Sequence, residues 1–175
     1  MQRRARNLFA QQDGTALIEF ALILPIMITL FLGVFEGTRV VAASMRLANA
    51  AQSVADMVAQ QSNITSTTMT NFCNGGQLSM TPLSGASLKI AVAEVTNNNG
   101  SLVVDWNDTT CNSATTIANA TTLATTLVPN ANDSVVIVQA TYAYTSPISY
   151  VLSSSYTLTQ TAYQRPYNVG TITHS

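Results

Sequence analysis

The chain has 175 residues, enough for one ordinary domain of about 100 to 150 residues and an extra helix. Only 9% of its residues are charged, against about 25% in typical soluble domains, and Thr, Ser, Asn, Gln and Ala replace the missing charge. With a net charge of −1 and Lys89 as its single lysine, the chain has no basic patch for phosphates, which excludes nucleic-acid binding.

Residues 1–13, MQRRARNLFAQQD, are basic, polar and too short to fold alone, and Gly14 closes them. They read as a targeting leader. Without residues 1–14 the chain keeps four basic and seven acidic residues. From Phe20 to Phe35 no residue is charged, and the 21 residues from Thr15 to Phe35 make a helix of about 31 Å, long enough to span a bilayer. Arg3, Arg4 and Arg6 orient that span with its N-terminus in the cytoplasm, so the rest of the chain is exported.

The helical pattern continues past the span. Val40, Ala43, Leu47, Ala50, Val54 and Met57 recur at alternating spacings of three and four, a narrow Ala-rich stripe suited to close packing. A continuous helix over residues 15–61 extends roughly 70 Å, with a mild kink expected at Pro25.

Residues 62–87 are rich in Ser, Thr, Asn and Gly and are expected to be a loop. Leu88, Ile90 and Val92, then Leu102, Val104 and Trp106, alternate on either side of Asn97-Asn98-Asn99-Gly100 and predict a hairpin. Residues 113–128 predict a short helix despite their threonines. A second strand pair is expected over 134–145 and 155–163, with Pro147 between them. The expected fold class is α+β: a long N-terminal helix against a small, mainly antiparallel sheet of about four strands.

Cys73 and Cys111, the only cysteines, both fall in the exported part. An oxidising compartment favours a disulfide between them, and two unpaired buried thiols are the alternative. Gly33 and Gly37 form a small-xxx-small spacing that permits close helix approach, though such spacings are common by chance. Glu36 and Arg39 are expected as an exposed local pair of little energetic value.

No catalytic constellation is evident, because His174 is the only histidine. A Ser-His-Asp or Cys-His arrangement and a His-ligated metal site are therefore not expected, and neither is a cofactor or small-molecule substrate. Asp105 and Asp108 around Asn107 lack EF-hand spacing and are expected in a polar turn. The sequons at Asn63, Asn107, Asn119 and Asn132 are what chance gives in so Asn- and Thr-rich a chain.

The most informative stretch is Gly14-Thr15-Ala16-Leu17-Ile18-Glu19-Phe20 followed by ALILP, which places a carboxylate inside an otherwise apolar helix. Insertion scales put the cost of an unpaired carboxylate at about 2.5 to 3.5 kcal/mol at a helix centre, less near its end, so a compensating partner is expected. The glutamate at the fifth position after Gly14, the aromatic next to it, the run Ile18 to Pro25 and the Glu36 to Arg39 segment resemble the TadE-like pseudopilins of the Tad (Flp pilus, tight adherence) machinery. The resemblance is densest over residues 14–40 and thins beyond them. Tyr142, Tyr144, Pro147 and Tyr163-Gln164-Arg165-Pro166 look like the tail of such proteins but identify nothing alone.

That resemblance implies three parts: a prepilin-type leader over 1–14, a membrane and stalk helix over 15–61 and an extracytoplasmic domain over 62–175. It implies cleavage by a prepilin peptidase between Gly14 and Thr15, and an assembly role for Glu19 and Phe20, with Glu19 meeting the freed amine of its own or a neighbouring chain. The implied partners are other pilin or pseudopilin subunits and an inner-membrane assembly platform. The implied location is the bacterial inner membrane, single-pass, with a periplasmic domain that can enter a surface pilus. The competing expectation is an exported binding or adhesion module, made with a conventional signal peptide cut after Val41-Ala42-Ala43 or with an uncleaved anchor at whose edge Glu19 merely sits.

Overall fold

The computed structural model describes residues 6–147 and 155–175, with side chains from Gly14 onward. Arg3 and Arg4 of the expected leader, and residues 148–154 between the last two long strands, lie outside the described residues. The chain divides into two units, Met1–Val40 and Val41–Ser175.

Helix α1, Arg6–Ala59, contributes to both units. It begins ahead of the expected Thr15, because one glycine costs a helix only about 1 kcal/mol and its neighbours tolerate helix. Pro25 has no N–H to donate, yet the helix continues through it. Thr29 and Thr38 turn their hydroxyls back onto the carbonyls of Pro25 and Val34, each at 2.8 Å, so neither carries an idle donor into the apolar stretch. Leu17, Leu22, Phe31 and Val34 are about 70% exposed, and the helix is long and apolar enough to cross a membrane.

One expectation for this unit is corrected. Glu36 is only 2% exposed, so it is no member of an exposed pair with Arg39. The Arg39 guanidinium instead lies 5.6 Å from the centroid of the Phe35 ring, one turn back on the same helix.

In the second unit α1 presents the expected stripe: Ala43, Leu47, Ala50 and Val54 are buried, and Ala51, Ala55, Val58 and Ala59 widen it. Small side chains let this part of the helix pack closely on the sheet.

Residues 62–87 are not a loop throughout, which corrects a second expectation. After the two-residue strand β1, Asn63–Ile64, helix α2 spans Ser66–Ser79. Its Thr, Asn and Gly content is poor for a helix, but Thr65 caps it by accepting the Thr68 N–H at 3.2 Å. Met69, Cys73 and Gly76 form the buried stripe, four and three residues apart, and Met80 continues it. A Cβ added at Gly76 would stand 2.8 Å from Ile90 Cδ1 and 3.3 Å from a Val54 methyl, so the glycine is what lets α2 approach α1 and the sheet.

The main sheet has the order β3-β2-β4-β5 and is antiparallel throughout. Its strands are β2 Leu88–Asn98, β3 Ser101–Cys111, β4 Ser134–Thr145 and β5 Ser155–Gln164. The β2–β3 turn places Asn99 at φ 52° and Gly100 at φ 94°, as a type I′ hairpin requires. β2 does not alternate in burial as an outer strand would, since Ile90 through Val95 are buried on both faces. One face meets α1 and α2. On the other, Ala91, Ala93, Val95, Val135 and Ile137 pack under Ile117, Ala120, Ala124 and Val128.

Within that covering segment only α3, Ala120–Ala124, is α-helical, shorter than the expected 113–128. Asn97 ties the hairpin to the same segment by donating to the Val128 carbonyl at 2.8 Å. Asp105 and Asp108 lie within strand β3 rather than in a polar turn, because the hairpin turn falls earlier, at Asn99-Gly100. A short strand β6, Thr173–His174, pairs in parallel with β1 and brings the C-terminal segment back to the end of α1. The architecture is α+β, and within the second unit the α1 segment from Val41 onward lies on a mostly antiparallel sheet.

Candidate functional site

The residues singled out near the N-terminus all lie on α1. Gly14, Thr15, Glu19 and Phe20 are exposed within a continuous stretch of helix. Thr15 and Glu19 are four residues apart, so they share one face, one turn from each other. The Glu19 side chain is exposed there. Phe20 adds an apolar ring, 57% exposed, beside it. Cβ atoms built at Gly14, Gly33 and Gly37 meet nothing within 4 Å.

Cys73 and Cys111 form a disulfide with their Cα atoms 5.5 Å apart, which settles the alternative left open by the sequence. The bridge joins the buried face of α2 to the last residue of β3.

Sequence reasoning missed a second cluster, where the C-terminal segment docks. Glu94 is fully buried on β2. Its carboxylate accepts the Ile172 N–H at 2.9 and 3.0 Å and the Trp106 Nε1–H at 2.8 Å. Trp106 also donates to the Ile172 carbonyl at 2.9 Å. Asp108, 5% exposed, accepts from the Thr110 N–H and hydroxyl and stands 3.0 Å from His174 Nε2. The His174 ring stacks on Trp106 at 5.1 Å. Tyr167, Thr173 and Ser175 then donate backbone N–H groups to the carbonyls of Ala59, Ser62 and Ile64. Two buried carboxylates and an indole therefore act as a dock that ties the C-terminal segment to the sheet and to the end of α1. The sequence signal available for it was Glu94, an acidic residue among the apolar residues of β2. Among the described residues, no three or more His, Cys, Asp and Glu side chains are grouped to hold a metal ion.

Burial pushes the Glu94 carboxyl up from its ordinary value of 4.5, and the Ile172 and Trp106 hydrogen bonds only partly offset this. The nearby charge of Asp105 raises it further. The folded state thus binds this proton at a higher pH than the unfolded chain does. The stability that Glu94 contributes should be fully present below about pH 4.5 and be lost as the pH rises through its raised value. Glu94→Gln should flatten this part of the stability profile, as thermal melts of both proteins between about pH 4 and pH 8 can show. An unchanged slope would assign the pH dependence to another group.

Comparison with known proteins adds one finding. Residues 14–56 match the family model described as TadE-like protein, and they cover both the apolar stretch of α1 and most of the stripe that packs on the sheet. No curated protein and no solved structure matches the chain. The likeness to the TadE-like family thus lies in residues 14–56, within α1.

Proposed function

We propose that this protein is a minor pilin-like subunit, which serves the assembly or priming of a Tad-type pilus and its secretion apparatus and supports surface adherence. The observation that carries this reading is the exposed Glu19, five residues after Gly14, at the start of an apolar helix within the family-matched segment. In this reading a prepilin peptidase cuts between Gly14 and Thr15. Glycine suits that bond because a residue without a side chain lets the backbone enter a narrow groove. The helix from Thr15 anchors the subunit in the inner membrane, the disulfide-closed domain stands in the periplasm, and Glu19 pairs with the new amine, its own or a neighbour's.

A conventional signal-peptide cut between Ala43 and Ser44 is a poorer fit. The apolar run of 16 residues from Phe20 to Phe35 exceeds the roughly 7 to 15 of a signal peptide, and the charged Glu36 and Arg39 intervene before the bond.

The N-terminus of protein isolated from membranes tests the proposal. Thr15 is the expected first residue, whereas Ser44 would indicate a secreted module and Met1 an uncut anchor. Gly14→Leu should leave the precursor whole, while Gly14→Ala should still be processed. Native protein that retains residues 1–14 by mass spectrometry would sink the pilin reading.

A further inference from the structure

The two edges of the main sheet differ. Among the described residues β3 pairs only with β2, and β5 only with β4. The register of β2 against β3 slips between Ile90 and Val92 and again between Glu94 and Val95. In both places β3 carries the surplus residue: its partners run from Cys111 to Asp108 and from Trp106 to Val104. Asp105 is itself the second surplus residue. Bulges and charges of this kind keep an edge from accepting another strand.

β5 has no such protection. Its ten residues pair with Thr145 through Val136 in unbroken register, and SYTLTQTAYQ contains no charge, proline or glycine. A long, regular, uncharged edge is a template for one more strand.

The surroundings of β5 define what that strand must be. On the α1 side, Gln160 donates to the Ser44 hydroxyl at 2.9 Å. Val41 and Ala48, three residues before and four after Ser44, share its flank of the helix, and Met45 follows Val41 by one turn. Val41 and Met45 are 56% and 65% exposed, and Tyr156 on the same side of β5 is 42% exposed. The opposite side of β5 presents Thr157, Thr159 and Thr161. An added strand would rest apolar side chains on Val41 and Met45 and continue a hydroxyl-lined face on its other side.

A second copy of this chain does not fit that edge. An antiparallel β5–β5 pair needs a two-fold axis perpendicular to the sheet, which reverses the helix segment 41–59 that lies on it. Copies anchored in one membrane share that direction. Pairing β5 with the β3 of another copy meets the bulges. We infer that the β5 edge accepts an extended, uncharged strand from a different polypeptide of the assembly, with apolar side chains alternating with polar ones. This inference rests on the assembly role proposed above and specifies the partner.

The test uses the full chain with a photo-reactive benzophenone amino acid in place of Thr159, irradiated in native membranes, together with amide exchange. The expected crosslink joins Thr159 to an extended, alternating segment of another protein. Exchange over residues 155–164 should slow about tenfold or more relative to the purified chain in detergent, with residues 101–111 unchanged. Thr159→Lys should abolish that protection and leave the melting temperature of the purified chain unaltered. Crosslinking to lipid or to the β5 of a second copy, or equal exchange in the two preparations, overturns the inference. If Glu19→Gln abolishes co-isolation with pilus components while Thr159→Lys preserves both co-isolation and protection, the edge proposal fails and the assembly role stands. If neither variant changes co-isolation, both fail.

Discussion

Replacing both Cys73 and Cys111 with alanine should lower the stability of the folded domain by about 4 kcal/mol. The bridge closes a loop whose ends are 38 positions apart, and the chain-entropy estimate for a loop of that length gives this figure. Against the 5 to 15 kcal/mol that separates typical native and unfolded states, the loss is large. It should fall first on α2, whose Thr-, Asn- and Gly-rich sequence has little helix preference of its own and is held by its cap, its packed stripe and the bridge. A urea titration followed by the fluorescence of Trp106, the only tryptophan, measures the shift. Equal midpoints for the oxidised protein and the double variant would show that the bridge adds nothing to stability.

Replacing Glu19 with Gln or Ala should leave synthesis, insertion and processing near normal and remove assembly. The side chain is exposed at the start of the apolar stretch, so its loss disturbs no internal packing and makes insertion easier. What it removes is the only acidic side chain between Gly14 and Glu36, the one that the proposed function pairs with an amine at Thr15. The variant should therefore be found in membranes with Thr15 at its N-terminus, yet fail to co-purify with pilus or platform components and fail to support pilus formation. Assembly of Glu19→Ala at wild-type levels would reduce the residue to an interfacial charge.

The parts of the fold that were legible in the sequence are those with dense local signals. The stripe from Ala43 to Val54 repeats often enough to specify one helix face, and Asn99-Gly100 can adopt the positive φ angles that a two-residue hairpin needs. Helix α2 was hidden because its residues individually disfavour helix, and the stripe of Met69, Cys73, Gly76 and Met80 is stabilised by packing and by a distant cysteine. The β1–β6 pair was hidden for a related reason. Strands of two residues carry no periodicity, and theirs is a pairing between residues about 110 positions apart. Of the candidate site, Gly14, Thr15 and Glu19 were named through the resemblance to the TadE-like pseudopilins, which rests on residues close together in the chain. The dock around Glu94 could not, since it exists only once Ile172 and His174 arrive. The burial of Glu36 was equally invisible, because a helical pattern on its own places that residue on an exposed turn.

The same dock sets an order of events during synthesis. The helix segment from Thr15 to Phe35 is complete early and can enter the membrane while the rest of the chain is still being made. Cys73 and Cys111 both emerge before β4 begins, so oxidation can proceed ahead of the central strand pairing. The partner of β1 and the cover over Trp106, however, lie in residues 172–175. The unit Val41–Ser175 therefore cannot close until synthesis reaches these residues, and a chain stalled before Ile172 leaves Glu94 without its backbone donor. A chain that lacks residues 172–175 is thus equivalent to an arrested folding intermediate, oxidised but not latched.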